Sequence, residues 1–165
     1  MSDRVVVVPW DPAWPARFDH ERDRLLPIRY APAMEPVIVL FDGVCNFCSD
    51  AVRFLVPRDP AGRLRFAALQ SDTGREVQQR FGLDPDDLDT MVVVEDGRAY
   101  LKSDAALRIA RHLAGPWRLL SLLRIVPRSV RDWAYDRFAE RRYRWFGRSD
   151  ECLVPTPELR ERFLA

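Results

Sequence analysis

The chain has 165 residues, 47% of them hydrophobic, and carries 26 Lys and Arg against 25 Asp and Glu, a net charge of +1. That composition suffices for one cored domain and excludes a disordered chain, and so balanced a charge offers no overall field for nucleic acid. The opening MSDRVVVVPW holds too short an apolar run for a secretory signal and no stretch approaches the ~20 residues of a membrane span, so the expectation is a cytoplasmic protein with no stable membrane insertion. In chain order, RVVVV (4–8) reads as a strand and PAWPARFDHERDRLL (12–26) as an amphipathic helix with Phe18, Leu25 and Leu26 apolar. Pro27, Pro32 and Pro36 then break the pattern, which separates an appended strand–helix segment and linker (1–35) from a main domain (36–165).

Within that domain VIVLF (37–41) is a strand, CNFCSDAVRFLV (45–56) a helix, LRFAAL (64–69) a strand and SDTGREVQQRF (71–81) a helix weakened by its internal Gly74. MVVVE (91–95) and RAYLK (98–102) flank Asp96-Gly97, a tight hairpin signal. Ser103 is placed to cap the helix SDAALRIARHLAG, which ends at Gly115. WRLLSLLRIV (117–126) and SVRDWAYDRFAERRYRWFG (129–147) are helical, and a last short helix has Thr156 as its cap and Pro157 at its first position. A βαβ unit joined to ββα is the minimal thioredoxin-like arrangement, so the expected fold is α/β, thioredoxin-like, with a helical C-terminal extension.

Cys45 and Cys48 sit where the first strand of that unit hands over to its first helix. In a reducing compartment such a close pair is catalytic, redox-sensing or metal-binding rather than a structural disulfide. Helical spacing puts Cys48, Val52 and Leu55 on the inward face and Cys45 at an exposed tip. There the helix dipole and unpaired N–H groups lower a thiol's pKa, making Cys45 the nucleophile and Cys48 the resolving thiol. Asp42 either caps the helix or exchanges a proton with the pair, and Gly43 supplies a permissive turn.

FDGVCNFC resembles the signature of the DCC family of predicted thiol-disulfide oxidoreductases, named for the Asp, Cys, Cys pattern that Asp42, Cys45 and Cys48 match. The ending RYRWFGRSDECLVPTPELRERFL is similar to that family's C-terminal pattern, so the resemblance covers about residues 36–165. It implies a thioredoxin-like fold and an enzyme that exchanges disulfides with a protein or small-molecule substrate, and it calls for no cofactor. Thioredoxins proper place a cis-proline before the third strand; here LDTMVVV holds Thr90 and Met91, the candidate substrate-binding positions. The first segment, VVVVPWDPAWPARFDHERDRL, resembles the opening of the GrpB-like family but stops after one strand and one helix, so no activity is carried over.

Against the redox reading stands a zinc-stabilised or protein-interaction module that uses Cys45 and Cys48 as ligands, with Cys152 and His112 completing a four-ligand set. The last two bring no close-spaced second pair; Cys152 reads as a packed or free thiol and His112 as a structural residue near a helix C-terminus. Between Pro116 and Arg148 nine arginines face only Asp132, Asp136 and Glu140. YDRFAERRYRWFGR therefore suits base stacking or a membrane surface, but its aromatics are expected in a helical bundle with the arginines solvated or paired to Asp136 and Glu140. WRLLSLLRIV is half of a helical hairpin or a shallow membrane contact. The expected partners are thus disulfides or thiols, with no nucleic acid and peripheral membrane contact at most.

Overall fold

The computed structural model describes residues 36–84, 90–148 and 157–164, with no side-chain description at 157 and 158. The strand and helix expected within 1–35, the Thr156 cap and Cys152 lie outside the described residues.

Four strands form one sheet: β1 (Val37–Phe41), β2 (Leu64–Ala68), β3 (Val92–Glu95) and β4 (Arg98–Leu101), in the order β2-β1-β3-β4. β1 runs parallel to β2 with Val39 opposite Phe66, and antiparallel to β3, which pairs antiparallel with β4. With α1 (Asn46–Leu55), α2 (Asp72–Arg80) and α3 (Lys102–His112) this is a thioredoxin-like α/β fold. The C-terminal part adds a 3₁₀ segment (Gly115–Ile125), α4 (Arg128–Phe146) and the short α5 (Pro157–Arg160).

β1 is central and covered on both sides, which is why its sequence is an unbroken apolar run rather than an alternating one. The pleat divides its side chains: Val37, Val39 and Phe41 join Val52 of α1 and Ala105 and Ile109 of α3, whereas Ile38 and Leu40 join Val77 of α2 and Phe81. The β3–β4 hairpin turns on Asp96 and Gly97, both at positive φ (51° and 69°), as a primed two-residue turn demands. Gly74, a weakness by helix propensity, is a packing necessity, because a Cβ there would lie 2.0 Å from the Ala68 carbonyl oxygen. That close approach lets α2 seat on the end of β2, and Ser71 caps it by accepting from the Gly74 N–H at 3.0 Å. The outer edge of β2 is covered by the chain's end, where Phe66 donates to the Arg162 carbonyl and Leu164 donates back to the Phe66 carbonyl, both at 2.8 Å.

Two expectations are corrected by α4. Ser103 does not cap α3, whose N-cap is Leu101; its hydroxyl donates to Asp132 and accepts from Arg131 at 2.9 Å, which ties α3 to α4 instead. Nor are the aromatics of α4 collected in a bundle. α4 lies on the domain through Tyr135, Phe138, Ala139 and Arg142, and leaves Trp133 and Trp145 in solvent. Asp136 pairs with Lys102 at 2.8 Å rather than with a neighbouring arginine, while Glu140 pairs with Arg137 at 3.0 Å.

Candidate functional site

Cys45 is the N-cap residue of α1, extended at φ −85° and ψ 118°, with its carbonyl accepting the first helical bond from Ser49 at 3.0 Å. No side chain caps this helix, so Asp42 is not its cap. The Asp42 carboxylate is buried and saturated with donors. Its Oδ1 accepts from Val44 N–H at 3.2 Å and Gln70 Nε2 at 2.7 Å, and its Oδ2 accepts from Arg142 at 3.1 Å and from the Tyr143 hydroxyl. Gly43 is not at a positive φ; Gln70 Oε1 accepts its N–H at 3.1 Å, so one glutamine fixes two consecutive residues of the turn.

The two thiols are free, but their exposure reverses the expectation. Cys45 has no accessible surface, and Cys48 is partly accessible. The cover over Cys45 is the end of α4. Arg148 forms a single antiparallel bridge with Cys45, Asn46 Nδ2 donates to the Phe146 carbonyl at 3.0 Å, and Gly147 turns the chain at φ +79°. Phe47 adds ring contacts to Phe138 and Phe146 at 4.8 and 5.0 Å. Cys48 takes the inward face as its spacing predicts, on the wall of an apolar cavity of about 80 Å³ shared with Val52, Phe66, Met91 and Phe138.

The pair is electrostatically unequal. Cys45 falls from 9.0 to about 6, chiefly because it accepts a hydrogen bond from the Cys48 thiol; the Cys48 N–H and the Arg142 cation help, while burial and the Asp42 charge oppose. Cys48 is pushed far above the ordinary thiol range by that same hydrogen bond, by burial and by the neighbouring Cys45 charge. The two sulfurs titrate as a pair, with Cys45 lowered and Cys48 raised. Burial alone would lower the Arg142 pKa, but Tyr143 and the two cysteines raise it, so the guanidinium stays charged. Burial and the bond to Asp42 lift Tyr143 to about 12, so its hydroxyl remains a donor.

Of the positions expected to meet substrate, Thr90 is buried and Met91 lines the Cys48 cavity. Met91 N–H donates to the Tyr135 hydroxyl at 2.9 Å and its carbonyl accepts from Lys102 N–H at 3.2 Å. His112, the suggested fourth zinc ligand, is bound to Glu95 at 2.7 Å, and among the described residues no group of three or more His, Cys, Asp or Glu is gathered to hold a metal ion. Sequence reasoning missed Gln70, Arg142 and Tyr143. Arg142 carried a signal: it falls three and seven residues after Ala139 and Tyr135, on the face of α4 that meets the domain.

The sequence model of the DCC1-like thiol-disulfide oxidoreductases matches residues 39–148, which span β1 to the cover over Cys45. The chain belongs to that family. Among its relatives is the uncharacterized protein YuxK of Bacillus subtilis, 49% identical over 127 residues that make up 77% of this chain and 93% of YuxK. A chloroplastic DCC family protein of Arabidopsis thaliana is 44% identical over 116 residues, 70% of this chain and 67% of that protein. No solved structure matches. Membership in the DCC1-like family supports a general thiol-disulfide redox role.

Proposed function

We propose that the protein is a dithiol/disulfide oxidoreductase in which Cys45 is the nucleophile and Cys48 the resolving thiol. The observation that carries this is the placement of the pair: Cys45 is the N-cap residue of α1 with Cys48 one turn on, and the Cys48 thiol and N–H together hold Cys45 below the ordinary thiol range. The Cys45 thiolate attacks one sulfur of a substrate disulfide, forming a mixed disulfide and releasing the other sulfur as a thiolate. Charge then leaves Cys45, and with it one of the causes that hold the Cys48 proton. Cys48 then loses its proton to solvent and attacks Cys45. A Cys45–Cys48 disulfide forms, the second substrate thiol departs, and two electrons have moved from protein to substrate. An external thiol restores the dithiol, and the reverse sequence oxidises a substrate dithiol.

Substrate reaches Cys45 when the Phe146–Arg148 cover lifts. Met91 and the apolar cavity receive the group next to the substrate sulfur, with the buried Thr90 beside Met91 in the chain. The compartment is a reducing one in this reading. Equilibration in glutathione buffers followed by alkylation and peptide mass analysis tests it: Cys45 and Cys48 should convert together in one two-electron transition. Cys48→Ser should accumulate the mixed disulfide on Cys45. Independent titration of the two thiols, or protection of both until a chelator is added, overturns the reading in favour of isolated thiols or a metal site.

A further inference from the structure

Residues 115–125 form a 3₁₀ helix, in which residues three apart lie directly above one another. That period sorts the sequence GPWRLLSLLRI into three straight ridges. One is Leu119, Leu122 and Ile125, exposed at 64%, 63% and 88%; a second is Trp117, Leu120 and Leu123, exposed at 39%, 45% and 49%; the third is Arg118, Ser121 and Arg124. The Trp117 ridge is the one turned toward the domain, since its ring meets Phe54 edge-on at 4.9 Å and Arg58 stacks on Phe54 at 3.7 Å. The other apolar ridge points away from the protein. Immediately after it, Val130 and Trp133, one turn apart on α4, are exposed at 53% and 63%.

The arginines beside this apolar surface supply its charge. Arg118 and Arg124 are exposed and make no ion pair among the described residues, and Arg141 and Arg144 continue the basic character along the outer side of α4. Apolar packing of a second copy on the ridge would leave the arginines beside it without a counter-charge, whereas an anionic surface meets the leucines and the arginines at once. Among the described residues no helix is long and apolar enough to cross a membrane, so a segment of this kind lies in the interface plane, with its leucines among the acyl chains and its arginines at the phosphates. Exposed tryptophans, apolar at one end and hydrogen-bonding at the other, fit the same boundary.

We propose that the ridge Leu119–Leu122–Ile125, with Val130 and Trp133, docks the protein on the surface of an anionic lipid bilayer. The full chain is mixed with sucrose-loaded vesicles of phosphatidylcholine alone or of equal parts phosphatidylcholine and phosphatidylglycerol, and sedimented. The expected result is co-sedimentation with the anionic vesicles, weakened by salt, with a blue shift of tryptophan emission. Leu122→Glu with Ile125→Glu should lower the partition coefficient at least about tenfold, since two apolar side chains no longer enter the bilayer. Both positions are exposed, so the urea midpoint of the double variant should match that of the parent. The proposal is overturned if the parent chain stays in the supernatant with both vesicles, or if the double variant binds as the parent does. A parent dimer that the double substitution dissociates also overturns it and assigns the ridge to a second copy.

Discussion

Arg142→Met removes the cation that faces Asp42 in the interior. The side chains are 5% and 1% exposed and 3.1 Å apart, so neither charge has water to fall back on. Breaking such a pair from one side costs about 3–5 kcal/mol, because the remaining carboxylate keeps its desolvation penalty and loses its counter-ion. Against the roughly 5–15 kcal/mol that holds a domain together, this is a large fraction. With a urea slope of about 1–3 kcal/mol per molar, the unfolding midpoint should fall by about 2 M. Asp42→Asn in the same chain removes the orphaned charge, and the double variant should regain about half or more of the loss, because two neutral groups replace an unpaired anion. The same cycle is read at the thiol by the pH dependence of iodoacetamide modification of Cys45. Arg142 lowers the Cys45 pKa and Asp42 raises it, so the midpoint should move up from about 6 in Arg142→Met and down in Asp42→Asn. Additive destabilisation in the double variant, or a midpoint change under about 0.5 M in Arg142→Met, would refute a coupled buried pair.

Glu95, buried at the end of β3, is held down to about 2 by its hydrogen bond to His112 and by Arg108, with burial opposing. A depressed carboxylate contributes stability that is complete above its unfolded pKa of about 4.5 and fades as pH falls toward about 2, so Glu95→Gln should flatten that part of the urea-midpoint profile while lowering the midpoint at neutral pH. Gly74→Ala drives a Cβ to 2.0 Å from the Ala68 carbonyl oxygen, and calorimetry should show a loss of about 1–3 kcal/mol as β2 and α2 part. Asn46→Ala releases the Phe146 carbonyl; stability should change by about 1 kcal/mol or less, yet alkylation of Cys45 at fixed thiolate fraction should accelerate severalfold. An unchanged alkylation rate would mean that the 146–148 segment is not what limits access.

The domain's order of strands and helices was legible because each element has a strong local reason. VIVLF is continuous where a strand is covered twice, Asp96-Gly97 supplies two positive φ angles, and Cys48, Val52 and Leu55 keep helical spacing. What escaped was decided at a distance. Cys45 reads as a helix tip from its neighbours alone, and only residues about a hundred positions later close over it. Arg142 looks like one arginine among nine until its face of α4 is known, and Ser103 looks like a cap until Asp132 and Arg131 claim its hydroxyl. For residues 117–126 the pattern announced helicity but not its period; a repeat of three rather than 3.6 separates the arginines from the leucines.

The separation of 100 residues between Asp42 and Arg142 has a consequence in time. At about 5–20 residues per second, the cysteine pair leaves the ribosome some 5–20 seconds before the helix that completes its surroundings. Through that interval the first strands can form around β1 while Asp42 has no counter-ion and Cys45 no cover. The nascent chain thus carries an uncovered Cys45 before it carries α4, and arrival of the last third both gives the carboxylate its counter-ion and hides the sulfur.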